Sequence, residues 1–161
     1  MTKAEPDMLL KLHSDPHCLC GVRELILAMG KRYGLSDESA SRMALAVDEA
    51  LCNIIRHGYK SAPGQPIWVR LWGLGDNGKG PGVRIEIEDE ARQIEPDTIR
   101  GRDLEDIRPG GLGVHIIREV TDEAVYEKRP DAGMRLTLVK RETGMAEAPT
   151  ACPPRAGGCG G

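Results

Sequence analysis

Two short segments constrain the fold of this chain more tightly than any others. Residues 67–74 (IWVRLWGL) and 83–89 (VRIEIED) both alternate apolar with polar side chains. Ile67, Val69 and Leu71 point one way and Trp68, Arg70 and Trp72 the other, and Val83, Ile85 and Ile87 repeat the pattern. A period of two belongs to a strand with one dry face. The linker GDNGKGPG is rich in turn residues, so the simplest connection between the two is a hairpin.

A sheet with one dry face needs an apolar layer over it, and the preceding residues supply one. MLLKLHS (8–14) reads as a short strand ending at the helix-start signal Asp15-Pro16. Leu19, Val22, Leu25, Ile26 and Met29 give a helix over about 17–33, and Gly34 marks its end. Ser36 is suited to cap a second helix, with Asp37 and Glu38 in its first turn. That helix runs to about His57, with Met43, Val47, Leu51, Ile54 and Ile55 on its apolar face.

Downstream, residues 95–111 are charged, end in Pro-Gly-Gly and read as a mobile loop. A short helix is expected at about 113–121. EAVYEKR and GMRLTLVKR then form two strands joined at Pro130 to Gly133. The order β-α-α-β-β-loop-α-β-β predicts an α+β, two-layer sandwich: a mixed, mainly antiparallel sheet with helices on one face. Residues 1–143 are expected to form one domain. Residues 144–161, ending PPRAGGCGG, have the composition of a disordered tail.

Composition excludes more than it identifies. A net charge of −3 over 161 residues points to no nucleic-acid partner. No apolar run approaches the roughly 20 residues that span a bilayer, and the N-terminus lacks the apolar stretch of a secretory leader. A cytoplasmic protein that does not engage a membrane is therefore expected. Five cysteines at irregular spacing argue against a disulfide framework, and Cys18 and Cys20 with His13 and His17 fit no common zinc pattern.

Three local features carry chemistry. Glu49, Asn53 and His57 follow one another at four-residue intervals, which makes one ridge on the second helix. Glu49 could orient a hydroxyl or take its proton, and Asn53 could offer a carbonyl oxygen to a hard cation such as Mg²⁺. Alone, the ridge reads more simply as the solvated polar face of an amphipathic helix. Gly110, Gly111 and Gly113 precede and enter the next helix, where backbone N–H groups and a positive helix end suit an anion. The spacing matches neither a Walker loop nor a dinucleotide fingerprint. Asp89 closes the strand IEIED, where a carboxylate could accept a hydrogen bond from an exocyclic amine.

In this order and spacing, the three features resemble the ATP-binding (Bergerat-type) domain shared by gyrase, the Hsp90 chaperone, histidine kinases and MutL. Within that superfamily the chain is most similar to the bacterial anti-sigma-factor serine/threonine kinases. DEALCNIIRHGY matches their N box, IEIEDEARQIEP lies at the first glycine box, RPGGLGVHIIREVTDEAVYE matches the second, and GMRLTLVKR matches the closing strand. The likeness covers roughly residues 7–141.

The resemblance implies Glu49 as general base, Asn53 as the Mg²⁺ ligand, and Asp89 as the partner of the adenine amine. From the residues alone, His57 or Arg56 on the same ridge could approach phosphate. Gly111 and Gly113, with amides of Gly110, Leu112 and Val114, would hold phosphates. Arg108 would reach phosphate from a short lid over 97–110, and Thr137 would supply an adenine-side hydroxyl. Ala91 would touch the base where the family normally has glycine, which an alanine satisfies if φ stays negative. The implied activity is ATP-dependent phosphorylation of an anti-anti-sigma protein by a homodimeric anti-sigma factor. An ATP-binding partner-switch module with little or no kinase activity is the alternative.

Overall fold

The structure is a computed structural model that describes residues 5–75, 80–99 and 112–142. Strand β1 (Met8–His13) leads into helices α1 (Cys18–Arg32) and α2 (Asp37–Asn53), and a π-helical turn (Ile54–Gly58) continues α2. Strands β2 (Pro66–Gly73) and β3 (Gly82–Asp89), helix α3 (Leu112–Val120), and strands β4 (Glu123–Lys128) and β5 (Met134–Arg141) complete the described elements. Among the described residues, the start of the expected lid region forms a 3-10 turn, Pro96–Thr98. Residues 100–111, the centre of the 73–82 linker and the residues after 142 lie outside the described residues.

The five strands form one sheet in the order β1-β2-β3-β5-β4. Every pairing is antiparallel, so the mixed sheet expected from the sequence becomes a uniform one. The reason is topological. β5 inserts between β3 and β4, so the two strands that flank the α3 connection never pair directly.

Alternation decides what each face carries. Ile67, Val69 and Leu71 of β2 stand beside Asp89, Ile87 and Ile85 of β3, and the apolar members are all at most 1% exposed. The helices cover this face. On α2, Met43, Val47 and Leu51 are fully buried, with small Ala40, Ala44, Ala46 and Ala50 between them. Those alanines let α1 approach closely: a Cβ added at Gly30 would lie 3.2 Å from the Cβ of Ala40. Ser36 caps α2 as predicted, its hydroxyl accepting from the Ser39 N–H at 3.2 Å.

The opposite face is built from long charged side chains. Glu86 and Glu88 project from it yet are 1% and 5% exposed. Arg70 and Arg135 donate to Glu88 at 2.6 and 2.7 Å, and Arg84 bonds Glu86. Arg84 also lies 5.2 Å from the Trp72 ring and Arg129 5.3 Å from Trp68. The guanidinium planes thus shield both the carboxylates and the indoles from water.

Candidate functional site

Glu49 and Asn53 occupy the last turns of α2, where both are half-buried. They face the start of α3. A Cβ added at Gly113 would fall 2.7 Å from Glu49 Oε2 and 3.2 Å from Asn53 Nδ2. The residue at 113 therefore works only as glycine unless Glu49 moves. The same absence of a Cβ leaves the first turn of α3 open to an anion. Ile117 anchors the helix from below, fully buried against the core. His57 lies in the π-helical turn after this ridge and is exposed. Extra-wide turns of this kind recur at functional sites.

Asp89 forms the other end. Its Oδ1 accepts from the backbone N–H of Ala91 at 2.8 Å and of Met134 at 3.3 Å. Oδ2 takes no bond among the described residues, so it remains as an acceptor. Burial pushes the Asp89 carboxyl above the usual aspartate range, even though the two N–H donors and Arg129 pull the other way. The β4–β5 turn lies directly on this residue. Gly133 has φ +77, and a Cβ there would sit 1.8 Å from the Asp89 carbonyl oxygen.

Ala91 has ordinary negative φ, since Lys60 and Ser61 are the positive-φ non-glycine residues among those described. The alanine in place of the family glycine is therefore unstrained. Room for its methyl comes from Gly58, where an added Cβ would approach the Ala91 Cβ to 3.1 Å.

One cavity of about 760 Å³ joins the two ends. Asn53, His57, Asp89, Ala91, Gly113 and Val114 all line it. Its volume suits a mononucleotide-sized ligand. Glu49 stands beside the cavity over Gly113 rather than in its wall.

Thr137 is a correction. It pairs with Glu86, while its neighbours Leu136 and Leu138 pair with Ile87 and Ile85 on the helix-covered side. Its hydroxyl therefore belongs to the opposite face of the sheet from Asp89. Met134 and Leu136 line the cavity from β5 instead. The alternation Met134, Leu136, Leu138 in the sequence already carried this information. Arg108, Gly110 and Gly111 lie outside the described residues, and Leu112 is placed only as the first residue of α3.

Residues that sequence reasoning passed over support the base end. The Tyr59 hydroxyl donates to the Pro66 carbonyl at 2.6 Å and accepts from the Glu90 N–H at 2.7 Å. Gln93 donates to the carbonyls of Arg129 and Gly133 at 2.6 and 3.2 Å. Gln93 stands out in the sequence only as a departure from the family's glycine box, and nothing local gives either residue its role, because their partners lie up to 40 positions away.

The donor set fits Mg²⁺ with a polyphosphate. The ion takes few protein ligands, and here one amide oxygen of Asn53 stands beside a carboxylate and an open glycine helix start. Water and phosphate oxygens would complete the shell.

A half-open α+β sandwich with a cavity between its helix layer and sheet, a glycine at one end and a buried aspartate at the other, defines an ATP-binding domain class. Residues 12–140 match the histidine kinase-like ATPase domain family, and the chain belongs to it. Its curated relatives include a serine-protein kinase RsbW of Listeria monocytogenes, 26% identical over 148 residues, covering 87% of this chain and 90% of the relative. Another serine-protein kinase RsbW, from Bacillus cereus, is 24% identical over 136 residues, covering 81% and 82%. Among solved structures, the fold resembles a Mycobacterium tuberculosis protein carrying RsbU and RsbW domains, with a TM-score of 0.58 at 18% identity. That match covers 83% of this chain and 31% of the other.

Proposed function

We propose that this protein is an ATP-dependent serine/threonine kinase that acts on a small anti-anti-sigma protein and itself binds a sigma factor in the cytoplasm. The observation that carries the reading is that Glu49 and Asn53 fill the space a Cβ at Gly113 would take, and that one cavity runs from Asn53 and Gly113 to Asp89. Asp89 Oδ2 would accept from the adenine amine. The α3 helix start would hold the phosphates, with Val114 beside it. Mg²⁺, held by Asn53, would offset the charge on the β- and γ-phosphates.

Glu49 would then receive the proton of the acceptor serine as its oxygen bonds the γ-phosphorus and ADP leaves. Positioning and electrostatics would do most of this work, as is general for phosphoryl transfer. A bare nucleotide-binding module has no need of a carboxylate poised over the phosphate end. The kinase names of the relatives support the same reading.

The test is transfer of label from γ-labelled ATP with Mg²⁺ to small anti-anti-sigma proteins of the same organism. Glu49→Ala is expected to lower the transfer rate by roughly 100-fold or more while ATP binding persists. Binding of ATP without transfer to any such protein would replace the kinase reading with a partner-switch module. Absence of ATP binding at millimolar nucleotide would overturn both.

A further inference from the structure

The β4–β5 turn and the segment after β3 clasp each other behind the base end of the cavity. Arg129 reaches across the turn and donates to the Asp89 carbonyl oxygen. Its guanidinium is held from the far side of the sheet by the Trp68 ring at 5.3 Å and by Glu88, 3.9 Å away. Gln93 closes the clasp from the other direction through its bonds to the Arg129 and Gly133 carbonyls. The Arg129 N–H donates to the Gly133 carbonyl at 3.1 Å, which closes the turn on itself.

The Asp89 side chain depends on both partners of this clasp. One N–H that fixes its Oδ1 comes from Ala91, two residues before Gln93, and the other from Met134, next to Gly133. If the turn and the segment separate, Oδ1 loses a donor and Oδ2 loses its fixed direction. The spacing is tight, because the Gly133 Cα already abuts the Asp89 carbonyl.

We propose that Arg129 and Gln93 are positioning residues that aim the Asp89 carboxylate at the nucleotide base and so set base selectivity. This deepens the nucleotide reading above and rests on it. Neither side chain needs to touch the phosphates. Gln93 also lines the cavity, so the clasp forms part of the wall that a base would meet. Arg129 further makes base recognition answer to the charged open face of the sheet, through Glu88 and Trp68.

The test compares the unsubstituted protein with Arg129→Ala, Arg129→Lys and Gln93→Ala. Calorimetry would measure affinity for ATP and for inosine triphosphate, which lacks the exocyclic amine. Arg129→Ala and Gln93→Ala are expected to weaken ATP roughly tenfold, the scale of a lost buried hydrogen bond, with inosine triphosphate unchanged. Arg129→Lys, which keeps a cationic N–H donor but not the planar fork, is expected to recover part of the loss. Amide exchange at Ala91 and Met134 without nucleotide should accelerate in both alanine variants. Equal loss for both nucleotides would mean a merely structural role and would overturn the inference, as would unchanged ATP affinity and exchange. An unsubstituted protein that binds no ATP would instead overturn the nucleotide reading itself.

Discussion

Glu88 and Asp89 are chain neighbours on opposite faces of β3, and their environments drive them in opposite directions. Burial raises the Glu88 carboxyl, but the bonds from Arg70 and Arg135 outweigh it and hold it below the usual glutamate range. Its contribution to stability is therefore present above about pH 4.5 and is lost as pH falls through its lowered value. For Asp89, burial outweighs the Ala91 and Met134 N–H bonds and the nearby Arg129, and its carboxyl is raised above 3.8. Between that value and its raised one, the native state binds more protons than the unfolded chain, so Asp89 destabilises at neutral pH and ceases to as pH falls. Asp89→Asn keeps an oxygen for the Ala91 and Met134 N–H groups. Thermal melts across pH should show it as stable as the parent, or more so, at pH 7, with the difference shrinking toward pH 4. ATP affinity should fall at least roughly tenfold, because the amine loses its charged acceptor.

At the scale of elements, α2 ties the layers together. Its N-terminus is fixed by Ser36, whose hydroxyl caps Ser39 and whose N–H donates to the Glu142 carboxylate at 2.8 Å. Its C-terminal half carries Glu49 and Asn53 to α3, and the π-helical turn brings Gly58 to Ala91. Ser36→Ala removes the side-chain cap and leaves the N–H bond in place. Urea unfolding should report a loss of about 1 kcal/mol, with nucleotide affinity unchanged because the cap lies at the other end of the helix from the site. Gly34, Ser36 and the acidic first turn were readable as a helix boundary because capping is local chemistry. The π-helical turn was not, since the residues 54–58 carry no signal that distinguishes a wide turn from a regular one.

For the whole molecule, the loop after β3 is held from two sides, by the end of the π-helical turn and by the β4–β5 turn. Tyr59 is 9% exposed and bonds both the Pro66 carbonyl and the Glu90 N–H, so it joins the end of the π-helical turn to β2 and to the base end. Tyr59→Phe leaves two part-buried groups, the Pro66 carbonyl and the Glu90 N–H, without the hydroxyl they share. Denaturant unfolding should show about 1–3 kcal/mol of lost stability, with the slope against denaturant unchanged. ATP affinity should also drop, because Glu90 follows directly on Asp89.

Periodicity, caps and turn residues act over a few positions, and the backbone geometry that reads them is the same in any fold. The sequence by itself therefore determined the order of strands and helices, the dry face of β2 and β3, and the pairing of Glu49 with Asn53 on one side of α2. Register and neighbour identity depend on contacts across the chain. Only the tertiary structure decided that β5 enters between β3 and β4, which makes the sheet antiparallel throughout and turns Thr137 away from Asp89. It also decided that Ala91 fits because Gly58 stands across from it, and that Arg129 and Gln93 hold Asp89 from behind.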